Sequence, residues 1–352
     1  MRYCSSSTLS IILIFFILYS LTSCKTNRNS TKQNKVKAIK YIIDHQEQDG
    51  AWSVIKQQGN YQNKDGIIAV TSIAIVSLLN NKEPGSSENI RSSIKKGLAY
   101  LLRNQTSKGN IGKHNYANGL SFYAISLAIT KKIIPPNKSH KKLFINILSK
   151  QSGIGAWDYS IANNHRNDLS ISAWVALGLA ECLKLNDYKK EASQSINKLN
   201  QMLRKDQTGA GDNSITTKAG SAYTYGNKPN LNSGKETRKP GSTIQAIVLR
   251  IKAINNQTFN ISNWVLKAIN DQTNKKIKPE KINYYRLFFF TSTLNLTQSS
   301  NQNNWKKKTL NTINNSQQKD GSFPLTTINM KFGGKIISTA ITLLTINNLN
   351  KK

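Results

Sequence analysis

The side chains that could do chemistry in this sequence are few and widely spaced. Only 17 of the 352 residues are acidic, and Asp158, Asp168, Asp212 and Glu236 are among those in predicted loops between helices. Hydrolysis of a glycosidic bond needs two opposed carboxyl groups, so a glycan-active site would draw on this set. The four histidines show no metal-ligand spacing, and we expect neither a metal site nor a cofactor.

Aromatic and basic side chains in the same loops indicate where a ligand would bind. Trp157 and Tyr159 follow a glycine turn, and the long polar segment 211–241 contains Tyr225 and Arg238. We predict that these four side chains contact the ligand. Because the segment is rich in Gly, Asn, Ser and Lys, a solvated lid is the alternative interpretation of it.

Asp168 is the candidate catalytic residue. It precedes an apolar helix in the segment 165–170, His-Arg-Asn-Asp-Leu-Ser. Aspartate immediately before a helix is also a common N-cap, because its carboxylate accepts hydrogen bonds from the first free backbone N–H groups. Both roles, a site residue and a helix cap, are open at this point.

The body of the chain is a succession of predicted helices without sustained strand periodicity. Amphipathic first helices alternate with second helices that are apolar on most faces. The predicted pairs are 36–45 with 66–79, 94–102 with 120–129, 143–148 with 169–185, 192–203 with 242–254, 263–269 with 284–294, and 305–313 with 335–349. We expect an all-α fold, an α/α toroid of about six helical hairpins with the apolar helices inside; an open solenoid is the alternative.

Three connections share a turn motif: a glutamine, a glycine four residues later, and an aromatic residue two positions after the glycine. The copies are Gln46, Gly50 and Trp52; Gln151, Gly155 and Trp157; and Gln317, Gly321 and Phe323. Glycine permits the turn out of the outer helix, glutamine can bond free amides at a helix end, and the aromatic ring packs between hairpins. We therefore assign the motif a structural role.

This motif resembles the QW repeat of the squalene-hopene and oxidosqualene cyclases, within the family of prenyltransferase-like α/α toroids. The segments 155–159, 167–170 and 333–340 are similar to cyclase-related proteins of the same family. Phe323 replaces Trp in the last copy, and Ile154 stands in the acidic position of the middle one. The resemblance covers residues 35–350 and implies the fold.

The resemblance does not extend to the known chemistries of the fold. Bacterial triterpene cyclases protonate their substrate with an Asp-x-Asp-Asp segment before an inner helix, whereas Asn167 would occupy the acid's position here and only Asp168 remains. The zinc site of the protein prenyltransferases has no counterpart, because Cys182 is the only cysteine of the body. The Cys-Gly-Glu-Gln thioester sequence is absent as well.

The N-terminus predicts export and a lipid anchor. Met1-Arg2 and the apolar run 9–21 are typical of a signal peptide, and Leu21-Thr22-Ser23-Cys24 resembles a lipobox. We expect a signal peptide over 1–23, a flexible tether over 24–34 anchored by the lipid on Cys24, and the toroid domain over 35–352. An ordinary secretory signal is the alternative. Lys25 stands where inner-membrane retention would need Asp, which leaves the outer membrane open for this periplasm-facing protein.

The formal charge of +33 would suit a nucleic-acid partner, but no basic run is interleaved with aromatic residues. Export would also separate the chain from nucleic acid. We therefore expect no nucleic-acid partner and a basic surface that faces the anionic membrane. Cys182 lies in an apolar helical stretch, and we expect it to be buried without a disulfide partner.

Three functions follow from these patterns. The favoured one is a non-catalytic binding or scaffold protein of the cell envelope, with a hydrophobic or polyisoprenoid ligand at the loop-bearing mouth of the ring. The alternatives are an enzyme of the terpene-cyclase-like group with altered chemistry, and a glycan-active barrel enzyme. An aromatic-lined cavity with a buried carboxyl group would favour a cyclase. Two facing carboxylates would favour a glycan enzyme, and a filled centre of the ring would favour a scaffold.

Overall fold

The computed structural model describes residues 31–53, 63–81, 88–159, 168–205, 243–254, 281–294, 302–325 and 328–350. These ranges contain eleven α-helices and a 3-10 turn at Asn186–Tyr188, and no strand beyond two isolated bridges. The helices are α1 (31–44), α2 (Lys64–Asn81), α3 (Glu88–Arg103), α4 (Asn115–Thr130), α5 (Lys138–Ser149), α6 (Leu169–Cys182), α7 (Lys189–Lys205), α8 (Thr243–Ile254), α9 (Tyr284–Leu294), α10 (Gln302–Asn315) and α11 (Ile328–Asn350).

Six of these helices form a closed inner ring. α2 packs against α4, α4 against α6, α6 against α8, α8 against α9, and α9 against α11, which returns to α2. The outer helices α3, α5, α7 and α10 each pack against an inner helix next to them in the chain. The predicted α/α toroid is therefore confirmed, and closure of the ring excludes the open solenoid.

Burial follows the sequence patterns that predicted the two rings. In the outer helix α3, the buried apolar residues Ile90, Ile94, Leu98 and Leu101 recur at helical spacing and form one face. In the inner helix α6, every residue from 169 to 179 is buried. A helix that is apolar on all sides must have neighbours on all sides, and the inner ring supplies them.

Neighbouring inner helices run in the same direction. At the start of α4, the Asn115 side chain donates to the backbone oxygen of Asp158, just before α6, at 2.8 Å. At the opposite end, Thr130 of α4 donates to the Glu181 carboxylate of α6 at 2.7 Å. The end of the ring at which the inner helices α4 and α6 begin is called the turn face, because the turns lie there. The opposite end, with the last residues of these inner helices, is the basal face.

Most helices extend a few residues beyond their predicted bounds, and α9 alone matches its predicted range at both ends. Three differences have a visible cause or consequence. The helix expected over 169–185 ends at Cys182, and the chain continues into the 3-10 turn. In α11, Gly334 has non-helical dihedral angles (φ 60°, ψ −164°), so the regular inner helix starts at Lys335 as predicted and a short segment precedes it. α1 includes residues 31–34 of the range predicted for the tether, because Asn34 bonds to the last hairpin.

The predicted signal peptide 1–23, Cys24 and the first part of the tether lie outside the described residues, as does the predicted helix 263–269. Within the described ranges, no helix is both long and apolar enough to cross a membrane. Export, lipidation and envelope location stay predictions.

Candidate functional site

Four turns, not three, repeat the same contacts around the ring. In each, the glutamine Nε2 donates one hydrogen bond to the glycine carbonyl of its own turn and a second to a carbonyl of the next outer helix. The pairs of acceptors are Gly50 and Ser93 for Gln46, Gly109 and Ser139 for Gln105, Gly155 and Ser195 for Gln151, and Gly321 and Asn34 for Gln317, all at 2.8–3.2 Å. The last pair joins the C-terminal hairpin to α1 and closes the outer ring.

The turn glycines have positive φ angles and lie directly against backbone. A Cβ atom on Gly155 (φ +114°) would stand 2.4 Å from the carbonyl oxygen of Lys198 in α7. The same close approach joins Gly50 to Lys96, Gly109 to Lys142, and Gly321 to Lys37. Only glycine fits such a position, which explains the motif physically.

The aromatic residues of the turns are structural. Trp52 and Trp157 are fully buried, and their indole N–H groups donate to Ile42 O at 2.6 Å and Ile147 O at 2.8 Å, in the preceding outer helices. Trp157 therefore has its polar atom engaged inside the protein. Its predicted contact with a ligand stays a prediction, and its described contacts are those of the turn.

The sequence pattern places Gln105 to Gly109 between the two helices of the second hairpin, but this turn has no aromatic residue and was not counted as a copy of the motif. Ile111 takes the position of the aromatic residue, is fully buried, and donates its backbone N–H to Asn118 Oδ1 at 2.6 Å. The signal was present as a glutamine, a glycine four residues later, and an apolar residue two positions further, Gln105, Gly109 and Ile111. The motif requires an apolar side chain there and not specifically a ring.

Asp168 caps α6 on the turn face. Its Oδ1 accepts hydrogen bonds from Ser170 N at 2.8 Å, Ser170 Oγ at 2.5 Å and Ile171 N at 3.2 Å. Asp168 is fully buried. Its backbone N–H donates to Trp157 O at 2.7 Å, which ties the helix start to the preceding turn. These contacts satisfy free N–H groups of the helix start, as the N-cap interpretation requires.

Two tyrosines stack beside this cap. The rings of Tyr116 in α4 and Tyr159 are nearly parallel, 5° apart, with centroids separated by 6.2 Å. Tyr159 is 37% exposed, so this predicted ligand residue lies on an open part of the turn face. Burial, followed by the neighbouring Tyr159, raises the pKa of Tyr116 to about 12, and Asp168 adds to the rise.

Tyr116 belongs to a cluster of aromatic side chains on the inner helices. Its centre is Trp174 of α6, whose side chain lies near that of Tyr116. The ring centroids of Tyr123, Tyr285, Phe288 and Phe289 lie 6.3, 6.0, 5.6 and 5.3 Å from that of Trp174. We use aromatic cluster for these six residues of α4, α6 and α9. The sequence signal for it was the run of aromatic residues in α9, which the prediction left unused.

Two charged side chains, Arg250 of α8 and Glu181 of α6, lie beyond the aromatic cluster toward the basal face. Burial lowers the pKa of Arg250 in α8, while Tyr123 and Glu181 oppose that change. Burial and Glu181 raise the pKa of Tyr123 to about 12, and Arg250 lowers it. The buried Asp168 carboxylate thus lies at one end of the aromatic cluster, and the Arg250 guanidinium lies at the other.

The remaining candidates separate into two sets. Tyr225, Arg238, Asp212 and Glu236 lie outside the described residues. Cys182 is buried, with its Sγ 3.6 Å from Ser126 Oγ, and burial raises the pKa of its thiol to about 12. Within the described ranges, no three His, Cys, Asp or Glu side chains are grouped as metal ligands would be.

Solved structures with this architecture include a terpene cyclase and a glycan-cleaving enzyme. The type II terpene cyclase MstE from Scytonema is 13% identical, with a TM-score of 0.58, over 91% of this chain and 98% of the other. A variant of that enzyme in complex with its substrate geranylgeranyl dihydroxybenzoate gives a TM-score of 0.62 at 12% identity, over 92% and 99%. The GH76A α-1,6-mannanase from Salegentibacter sp. HEL1_6 gives 0.63 at 8% identity, over 90% and 98%. At these identities the likeness shows the fold alone.

Family models match both parts of the chain, while no curated protein is significantly similar to it. The α-macroglobulin TED domain model matches residues 4–158. The prenyltransferase α/α toroid domain model matches residues 140–351, more than half of the chain. Together with the closed ring of inner helices, this match shows that the chain belongs to the prenyltransferase α/α toroid family.

Proposed function

We propose that the chain is a cell-envelope lipoprotein whose toroid binds a hydrophobic or polyisoprenoid ligand without converting it. The observation that carries the proposal is the aromatic cluster beside an aspartate whose Oδ1 is engaged in a helix cap. Tyr116 and Tyr285, the partly exposed rings of the cluster, would contact the ligand above a base of buried rings. The cap leaves Asp168 with a structural task that accounts for its position.

Two arguments weigh against cyclisation. Protonation of an isolated alkene needs an unusually strong acid, and the position that the cyclase acid would occupy carries Asn167, whose amide cannot supply that proton. The neighbouring Asp168 Oδ1 receives three hydrogen bonds from residues 170 and 171. A carboxylate that stabilises a helix start in this way acts as an acceptor and not as a donor.

The aromatic cluster supports an elongated apolar ligand. Flat rings from three inner helices lie in one region, with Tyr116 and Tyr285 partly exposed, and aromatic side chains contribute strongly to apolar binding. A terpene cyclase of the same fold holds a geranylgeranyl substrate, which makes a prenyl chain the first probe to use. Arg250 would lie near the other end of such a chain.

Anchoring by Cys24 belongs to the proposal as well. Two acyl chains give stable membrane attachment, which one chain does not. A protein held at the bilayer surface would meet its apolar ligand where that ligand partitions. Replacement of Cys24 by Ala should release the chain from membranes, and persistent tight association would contradict the anchor.

The ligand claim is tested with geranylgeraniol as the probe. We expect binding to the unsubstituted protein, and about a fivefold loss of affinity in Trp174→Leu, because a ring contact contributes on the order of 1 kcal/mol. Trp305→Leu is the matched control, since Trp305 is also buried but lies in the outer helix α10. Absence of binding, or equal losses in both variants, would contradict the proposal.

The buried carboxyl group beside the aromatic cluster is the one observation that favours a second function, an enzyme of the terpene-cyclase-like group with altered chemistry. The same incubation decides between the two. Recovery of geranylgeraniol unchanged by mass spectrometry supports binding without conversion. A cyclised or hydrated product would establish the enzyme instead, and cleavage of α-1,6-mannotetraose would establish the glycan alternative.

A further inference from the structure

A group of polar side chains lies at the basal end of the ring interior. Tyr123 of α4 and Glu181 of α6 are both close enough to Arg250 of α8 to shift its pKa. The inner-ring neighbours of α8 are α6 and α9, so the Arg250 side chain meets Tyr123 only by extending into the ring. Asn80, near the end of α2, lies beside Tyr123 and is exposed, which places this group near solvent.

Arg250 lacks a partner in this group. Its Nε atom is buried and has no hydrogen-bond partner among the described residues. None of the four ion pairs of the described ranges includes Arg250, and the residue is partly exposed, so a ligand could reach it. A buried donor without an acceptor costs free energy, and for a charged group that cost is larger. The guanidinium therefore favours an acceptor that the described residues do not supply.

The Glu181 carboxylate is already engaged by other donors. Its Oε2 accepts from Thr130 Oγ1 and from Lys184 Nζ, both at 2.7 Å. Glu181 and Lys184 together carry no net charge, which leaves the Arg250 guanidinium as one net positive charge in this group. A charge of this size matches a monoanion, whereas a dianionic phosphate would need further cations to offset repulsion from Glu181.

The donors of this group fit a carboxylate. Guanidinium N–H groups form a planar fork that matches the two oxygens of a carboxylate. The hydroxyl of Tyr123, whose pKa is raised to about 12, keeps its proton at neutral pH and can donate to the same anion. Tyr123 also belongs to the aromatic cluster, with its ring centroid 6.3 Å from that of Trp174. The polar group is therefore continuous with the apolar cluster.

We propose that the ligand of the ring is a long-chain monocarboxylic acid, with its carboxylate on Arg250 and Tyr123 and its apolar chain along the aromatic cluster. This assignment rests on the proposed ligand-binding function and adds the chemical class of the head group to it. An alcohol with the same chain offers no charge to the guanidinium and leaves Arg250 without its strongest kind of acceptor. Affinity therefore depends on the head group as well as on the chain.

Two probes that differ in the head group measure this dependence. Geranylgeranoic acid and geranylgeraniol carry the same prenyl chain, and at neutral pH only the acid is charged. We expect the unsubstituted protein to bind the acid about 30-fold more tightly than the alcohol. Arg250→Gln should remove that preference, while its affinity for the alcohol stays within about threefold of the original.

Arg286→Gln is the matched control. Arg286 of α9 is also a partly exposed arginine on an inner helix, and burial lowers its pKa as well. Phe290, one helical turn later, lies against Trp305 of the outer helix α10, so this side of α9 faces away from the ring interior. We expect Arg286→Gln to keep the preference for the acid. Urea titration should give Arg250→Gln an unchanged midpoint, because Arg250 has no partner to lose.

Failure of the head-group assignment is distinguishable from failure of the proposed function. If acid and alcohol bind equally, or if both Gln variants lose the same affinity for the acid, a ligand still binds but its head group is not on Arg250. A lowered urea midpoint in Arg250→Gln would also overturn the assignment, since it would show that Arg250 is held by the protein itself.

If neither prenyl probe binds, the proposed function is contradicted, and acetate then tests the carboxylate site alone. The side-chain Nε–H NMR signal of Arg250 is assigned by its absence in Arg250→Gln. We expect acetate to shift that signal and to leave the corresponding signal of Arg286 in place. No shift of the Arg250 signal would overturn the carboxylate site as well.

Discussion

The turns and the ring interior of this toroid differ in what repeats. Each turn uses one glutamine for the same two hydrogen bonds and one glycine for the same backbone approach, in four places around the ring. The interior has no such repetition, because its aromatic residues are concentrated on α4, α6 and α9. Repeated contacts therefore build the fold, and unrepeated residues are where a particular ligand would be recognised.

The other side of the interior packs small hydroxyl residues. Ser72 of α2 and Ser121 of α4 are hydrogen-bonded at 3.0 Å, and Thr342 and Thr345 of α11 donate to carbonyls of their own helix. All four are buried. Small side chains let helices approach closely, so this side is a packing surface, in contrast to the bulky aromatic side.

The strongest test of the comparison lies in a single turn with two glycines. Gly155→Ala would place a methyl group 2.4 Å from Lys198 O at a positive φ, whereas a methyl group on Gly153 meets nothing within 4 Å. We expect Gly155→Ala to lower the free energy of unfolding by about 3 kcal/mol, through backbone strain and overpacking. Gly153→Ala should change it by less than about 0.5 kcal/mol. Urea titration of both variants measures this, and similar midpoints would show that the turn tolerates displacement.

A second test concerns a buried histidine that no other hairpin repeats. His140 is fully buried between Phe122 and Tyr188, its Nε2 lies 3.1 Å from Ser126 Oγ, and burial lowers its pKa from 6.5 to about 4. The unfolded chain then binds the proton more readily than the folded one. This contribution to stability is complete above pH 6.5 and is lost as pH falls from there to about 4, by about 3 kcal/mol in all.

Replacement of this histidine isolates that contribution. His140→Phe should flatten the loss of stability between pH 6.5 and about 4, because no imidazole remains to be protonated at this buried position. His114→Phe, at an exposed position, should keep the acid sensitivity of the unsubstituted chain. Urea midpoints across the pH range provide the measurement. Unchanged acid sensitivity in His140→Phe would assign the effect to carboxylates instead.

The sequence predicted the parts of this fold that depend on local pattern. The bounds of α9, the start of α6 at Leu169 and three of the four turns agree with the structure, since periodicity, a cap and a positive-φ glycine are local signals. The fourth turn, Gln105 to Gly109, was not counted as a copy of the motif, because Ile111 replaces the ring that the motif was expected to carry. The break at Gly334 was signalled by two adjacent glycines and agrees with the predicted start of the last helix.

The ring interior could not be predicted in the same way. A helix that is apolar on every side carries no periodic signal for the direction in which a given residue points. Trp174, Tyr285 and Phe288 come together only when α6 and α9 are placed around one ring, across more than 100 residues of chain. Trp157, by contrast, was a conspicuous candidate for ligand contact, yet its described contacts belong to the turn.

The smallest expected effect is at Asp168, where the turns meet the interior. As an N-cap it contributes about 1 kcal/mol, so Asp168→Ala should lower stability by that amount, and Asp168→Asn by less than about 0.5 kcal/mol, because the amide oxygen still accepts from the same N–H groups. Asn137, whose side chain accepts from His140 N at 2.9 Å, caps the outer helix α5 and supplies the control in Asn137→Ala. If Asp168 is only a cap, the two alanine variants lose similar stability and bind geranylgeraniol alike. If Asp168→Asn instead weakens binding or abolishes a product while stability is kept, the carboxylate acts on the ligand. Asp168 would then serve both the framework of the fold and the specific interior of the ring.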